Sequence, residues 1–299
     1  MNKFKDLLNT VSEIDPLHGK KVKSDLSVFD DVFYAKADLF IDRFENLLTE
    51  KGKSLEYGIG CYFKMIADVR SETKHFVRTG EYTSKSFDEV NQRVYNNPDV
   101  MEYYMNGLLL SQFLWAHHYT ILNYFTDNLI EKAGNIDHYL EMGGGHGLYI
   151  SEAIRLLNKE AKFDLIDISP SSIEASRTLI NNSNVQYILS DIFAVAAERK
   201  YDFITMGEVM EHVEDPVALL KKLGDLLKKK GRMFITTPTN APAIDHIYLF
   251  KNADDIRKVI QEAGFTILDE LCVYSEKVTK VRAEKFKIAM MYAAFIEKN

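Results

Sequence analysis

Only two cysteines stand among the 299 residues, Cys61 and Cys272, far apart and without the spacing of a metal knot or a disulfide framework. They read as plain thiols of a reducing compartment. No run approaches the ~20 apolar residues of a membrane span, and the first residues lack the charged-then-apolar pattern of a leader. We therefore expect a cytoplasmic protein with no membrane partner. Basic excess is missing too, since 37 Lys and Arg face 44 Asp and Glu for a formal net charge of −7. Divided at Ala133, both parts remain acidic on balance, so neither offers the positive face that nucleic acid selects.

What the chain does have is enough apolar material, 46% of its residues, to bury a sizeable core. The first ~130 residues carry helical periodicity and little glycine. Lys3 to Ile14 reads as one amphipathic helix, and Leu26 to Leu48 as a longer one with Phe29, Val32, Phe33, Ala37, Phe40, Ile41, Phe44 and Leu48 on one face. Tyr57 to Val69 also reads as helical, whereas the polar stretch Ser71 to Ser86 reads as a mobile connection. Asn96-Asn97-Pro98-Asp99 is a helix start, followed as far as Ala133 by no breaker except Gly107. The Met and aromatic residues of 101–119 either pack this helical layer or wall an acceptor pocket, and different faces of one helix can do both. The helical stripes of residues 1–132 allow a homodimer without requiring one.

The second part alternates. Strand patterns at 163–168, 185–189, 201–206 and 232–236 are separated by helices that start at Pro170 and Pro216, the latter running to Lys229. Such alternation means parallel strands with crossover helices, a doubly wound sheet. A helix from Ala253 to Ala263 stops at Gly264, and strands near 266–274 and 288–295 follow with no clear helix between them, as in an edge hairpin.

Within this pattern one segment stands apart, Asp137 to Ser151, in which a strand breaks into four glycines and resumes as a helix. Glycine lets a backbone turn sharply and lie against a ligand, and the helix beyond presents free N–H groups. The dinucleotide spacing G-x-G-x-x-G fails, because counting from Gly143 ends on Leu148 and counting from Gly145 ends on Ile150. The phosphate-cradling G-x-x-x-x-G-K-[ST] fails for want of a lysine. What remains is E-x-G-x-G-x-G: Glu141, Gly143, Gly145, Gly147.

In this form the chain resembles the class I methyltransferases that use S-adenosylmethionine (SAM). The acid after the second strand, the acid after the third and the segment after the fourth stand in the family's order, so the resemblance covers about residues 135–299. It implies an α/β fold with a seven-stranded, mostly parallel, doubly wound sheet, preceded here by an all-α domain. Residues 1–132 would be a helical cap for acceptor recognition and 133–299 the SAM-binding catalytic domain. Glu141, Gly143, Gly145 and Gly147 would hold the cofactor's amino-acid end. Asp167, with Ile168 beside it, would accept hydrogen bonds from both ribose hydroxyls, or Asp167 would merely cap the next helix. Asp191 would meet the adenine amine and Ile192 its face, with Met206 and Gly207 closing the site below.

After the fourth strand comes Glu208-Val209-Met210-Glu211-His212. If this segment is helical, Glu208, Glu211 and His212 share a face. In one reading His212 is a general base or orienting group and the glutamates bind polar parts of the acceptor or cap a helix. In the other these three, completed by His246 on the loop after the fifth strand, ligate Mg or Mn. E-x-x-E-H with a later histidine resembles both ubiquinone-pathway O-methyltransferases and small-RNA 2′-O-methyltransferases. The expected activity is methyl transfer to an oxygen or nitrogen of a small organic acceptor. The alternatives are a metal-dependent RNA 2′-O-methyltransferase, against which the missing basic flanks speak, and a SAM-binding partner protein without turnover.

Overall fold

The computed structural model describes residues 3–196, 198 and 200–299. Seven helices come first: α1 Lys3–Ile14, α2 Pro16–Leu26, α3 Asp31–Glu50, α4 Leu55–Thr79, α5 Phe87–Val90, α6 Pro98–Leu114 and α7 Ala116–Ala133. A π-helical turn, Asn91–Tyr95, follows α5 directly.

Three expectations for this region change. The long stripe from Leu26 is two helices, because Asp30 accepts from the backbone N–H groups of Val32 and Phe33 and so starts α3 afresh. Phe33, Ala37, Phe40, Ile41, Phe44 and Leu48 are buried as the stripe requires, whereas Val32 is exposed. The polar stretch from Ser71 is mostly helix. α4 continues through it to Thr79 and ends on Gly80 in the left-handed region (φ 76°), leaving only residues 80–86 as connection. The segment from Pro98 to Ala133 breaks at Trp115, whose extended backbone (φ −106°, ψ 116°) separates α6 from α7. Neither glycine nor proline marks that break. The Trp115 indole N–H, donating to the Tyr62 hydroxyl at 2.8 Å, anchors it.

The sheet is built from β1 His138–Met142, β2 Lys162–Asp167, β3 Val185–Leu189, β4 Tyr201–Gly207, β5 Leu227–Thr239, β6 Phe265–Tyr274 and β7 Met290–Lys298. Its order is β3-β2-β1-β4-β5-β7-β6, with β7 antiparallel to both neighbours and the other pairs parallel. This is the expected seven-stranded doubly wound sheet. Between the strands lie α8 Leu148–Leu156, α9 Pro170–Ile180, α10 Pro216–Leu226, α11 Ala253–Glu262 and α12 Lys280–Phe286. α10 is shorter than its lysine-rich sequence suggests, since Leu227 already pairs with Tyr201 across the sheet. Where no helix was expected, α12 interrupts the edge hairpin of β6 and β7; it starts on a Thr279 cap and buries only Ala283.

Three apolar clusters hold the molecule. One fills the helical layer α1–α6, a second packs α10 and α11 on one face of the sheet, and a third packs α7 and α8 on the other. α7 belongs to two of these. Tyr119 and Leu122 face the helical layer while Ile121, Phe125, Leu129 and Ala133 pack with Tyr139, Phe163 and Phe234 of the sheet. The helical layer is thereby held over the carboxyl ends of the strands. Among the described residues no helix is long and apolar enough to cross a membrane.

Candidate active site

A cavity of about 1290 Å³ lies between the helical layer and the ends of β1, β2, β3 and β4. It exceeds the roughly 300–1,000 Å³ of a pocket for one small ligand, which leaves room for two molecules side by side. Its floor is the glycine loop.

The loop turns at Gly143 (φ 64°), Gly145 (φ 51°) and Gly147 (φ 74°), conformations that L side chains rarely adopt. At Gly143 space is short as well, because a Cβ there would stand 2.5 Å from a Val209 methyl. Asp167, at the end of β2, is buried and holds the loop: its Oδ2 accepts from the Gly145 N–H at 3.0 Å and its Oδ1 from the Ser169 N–H at 2.8 Å. Burial raises its pKa against these stabilising bonds. Helix α9 is capped by Ser169 and not by Asp167, so the capping alternative for Asp167 is set aside. Glu141 lies on β1, 3% exposed, with Oε2 unpartnered, and burial raises its pKa far above the ordinary carboxyl range. Both acids line the cavity.

Ile168, Asp191, Ile192 and Gly207 line it too. Asp191 is exposed and accepts from the Phe193 N–H at 2.9 Å, while Ile192 is buried behind it. Met206 does not line the cavity. It is fully buried in the sheet core in one cluster with Leu140, Ile204 and Ile235. His146, unremarked in the sequence, completes the loop. Its Nδ1 accepts from the Leu148 N–H at 3.2 Å, and burial lowers its pKa to about 4.

Glu208 to His212 is not a helix of shared faces. Glu208 takes a left-handed conformation (φ 55°), and only Met210–His212 form a turn, of 3-10 type. Glu208 is tied to β5 through Thr236, whose hydroxyl donates to Oε1 at 2.7 Å. Burial pushes its pKa up to about 7. Glu211, His212 and His246 do converge, with one potential ligand atom from each lying within 4.8 Å of the others; Glu208 is outside this trio. Far from being a surface loop residue, His246 is 8% exposed.

The orientation of the trio is specific. His246 Nδ1 donates to the Ala241 carbonyl at 2.6 Å, and His212 Nδ1 to the Asp245 carbonyl at 2.9 Å. With Nδ1 as the donor, the lone pair of each neutral ring lies on Nε2, and these nitrogens stand 3.9 Å and 3.7 Å from Glu211 Oε1. Glu211 is fully buried; the Thr237 hydroxyl donates to Oε2 at 2.8 Å, but Oε1 has no hydrogen-bond partner. Burial, and then the Glu208 carboxyl, raise the Glu211 pKa well above its usual range, and burial lowers that of His246 to about 4. Two imidazole lone pairs and an orphaned carboxyl oxygen, each oriented by a second hydrogen bond, fit a divalent cation.

A profile of the methyltransferase domain family matches residues 115–270, just over half of the chain. The chain belongs to this family. Its match begins at Trp115, where α6 gives way to α7 and the chain turns onto the sheet. Over 108 residues this methyltransferase-family chain is 34% identical to a ubiquinone biosynthesis O-methyltransferase of Xanthomonas campestris, covering 35% of the chain and 44% of the relative. Over 166 residues it is 26% identical to a malonyl-[acyl-carrier protein] O-methyltransferase of Ilyobacter polytropus, covering 53% and 61%. The chain thus spans about half the length of the curated relatives it matches. Among solved structures, the N-methyltransferase NodS of Bradyrhizobium japonicum with S-adenosyl-L-homocysteine has the same fold (TM-score 0.53, 14% identity, 72% of this chain and 99% of that one). So has the mitomycin 7-O-methyltransferase MmcR (TM-score 0.55, 13% identity, 78% and 68%).

Proposed function

We propose that this protein is a SAM-dependent methyltransferase acting on an oxygen or nitrogen of a small organic acceptor, with a divalent cation held by Glu211, His212 and His246. The observation that carries the reading is one cavity with two chemically distinct parts: a glycine loop held by Asp167, and a ligand trio beside it. Glu141, Gly143, Gly145 and Gly147 suit the cofactor's amino-acid end, Asp167 and Ile168 its ribose, and Asp191 and Ile192 its adenine. SAM supplies an activated sulfonium methyl, so the protein has to align an acceptor and dispose of its proton.

In this reading Glu208 takes the proton. Its carboxyl lines the cavity and its pKa is brought to about 7, near the working pH at which a general base serves best. Met65, Met105, Leu108 and Trp115 give the acceptor an apolar wall, while the acidic chain offers no counter-charge for RNA. A bound cation would acidify and orient acceptor oxygens, and two imidazoles favour Mn over Mg, which keeps oxygen ligands. Residues 1–132 serve in this reading as the acceptor cap, and Val28, Val32 and Leu39, exposed on that layer, would suit a homodimer.

The test is turnover with a panel of phenols, catechols and amines, read as S-adenosylhomocysteine formed in excess of enzyme. Loss of activity in EDTA, with recovery on adding Mn, is expected. A panel without turnover supports the non-catalytic alternative, and activity indifferent to EDTA and to Glu211→Gln removes the cation from the proposal.

A further inference from the structure

The loop that carries His246, residues 240–247, is held by the helical layer at four of its residues. The Tyr82 hydroxyl accepts from the Ala241 N–H at 3.0 Å, and the Tyr82 ring packs against that of His246 at 5.7 Å. Ser84 and Arg93 both donate to the Ile244 carbonyl, at 2.8 and 2.6 Å. The Tyr104 hydroxyl donates to Asp245 Oδ1 at 3.0 Å. Tyr95, on the π-helical turn, places its hydroxyl 3.0 Å from His212 Nδ1. All these partners come from one stretch of chain, residues 82–104.

We infer that Tyr95, at the His212 Nδ1 itself, and Tyr104, through Asp245, are positioning residues that keep the His212 Nδ1 protonated and its Nε2 lone pair free at the methyl-transfer site. The chemistry is that of an imidazole fixed by its second nitrogen. Asp245 is 4% exposed, and its Oδ2 stands 3.6 Å from His212 Nδ1 on the same side as the carbonyl that accepts the Nδ1 proton. A buried carboxylate in that place needs a donor, which the Tyr104 hydroxyl supplies, while the Tyr95 hydroxyl stands at the Nδ1 proton itself. Without the two hydroxyls the Asp245 carbonyl is left as the one partner of Nδ1, and the ring takes both tautomers. Oriented partners of this kind typically alter metal affinity or activity 10–100-fold.

This role rests on the reading that His212 Nε2 serves the reaction, as ligand or as base, and two measurements keep the claims apart. Long-range ¹H–¹⁵N correlation of the histidine rings in the metal-free protein should show His212 with Nδ1 protonated, and a mixture of tautomers in Tyr95→Phe/Tyr104→Phe. A double variant that keeps the wild-type pattern overturns the positioning role. Mn²⁺ titration should show about 10–100-fold weaker binding in the double variant, with SAM affinity unchanged within about twofold, well below the 1.4 kcal/mol of a tenfold change. Tyr103→Phe, whose hydroxyl bonds Asp68 at 2.7 Å instead, should match the wild type in both. If the wild type binds no Mn²⁺, the cation reading fails alone, and the tautomer measurement still decides the role of the two tyrosines.

Discussion

At the scale of single residues, the site depends on places where one atom more cannot be accommodated. Gly143→Ala puts a methyl 2.5 Å from Val209 on a backbone of φ 64°, so the loop must shift. We expect at least a tenfold loss of SAM affinity by calorimetry, partly recovered by Val209→Ala, which removes the clash but not the strain. An unaffected Gly143→Ala would mean that the loop does not carry the cofactor. Glu211→Gln replaces the orphaned oxygen of the trio with an uncharged amide or carbonyl, and Mn²⁺ binding should fall below detection while the SAM isotherm stays as it was. Glu211 and the glycines were legible in the sequence because their spacing is local. Glu208 was legible as a residue but not in its conformation, which is held by Thr236, 28 residues along the chain on the neighbouring strand.

Elements were readable wherever a cap or a period announced them. Asn97 with Pro98 starts α6 as the sequence says, and its side chain accepts from the Val100 N–H. Asn97→Ala should cost about 1 kcal/mol in urea unfolding. The break at Trp115 and the extension of α4 were not readable, since tertiary contacts made them: an indole bonded to Tyr62, and a polar helix that buries only Phe76 beyond Ile66. Gly107, which looked like a weak point, is a point of contact. A Cβ there would meet Met65 at 2.9 Å and the Cys61 carbonyl at 3.3 Å, so α6 and α4 approach closely across it. Gly107→Val should destabilise by about 1–3 kcal/mol, whereas a neutral result would show that the two helices can part without cost.

For the whole molecule, the parallel sheet and its order followed from alternation, but the meeting of distant loops over it did not. Tyr82, Tyr95 and Tyr104 carry no motif, and only the docking of the helical layer on the strand ends brings them to His246, His212 and Asp245. That layer also buries histidines. His117, stacked on Trp115 and half-buried at the cavity wall, has its pKa lowered to about 4 by desolvation and by Lys21. The unfolded chain then binds a proton that the folded one refuses between about pH 6.5 and 4, so stability falls as the pH is lowered through that window. Each such group contributes a slope of up to about 1.4 kcal/mol per pH unit. Unfolding free energies of His117→Gln should show a shallower fall than the wild type over that range, and parallel curves would refute the assignment.

Calorimetric titration with SAM tests the central claim most directly. The wild type should bind one equivalent per chain, and Asp167→Ala, which removes the proposed ribose acceptor along with the bond to the Gly145 N–H, should lose at least tenfold in affinity while remaining folded. No heat from the wild type, or an isotherm unchanged by Asp167→Ala, would contradict it.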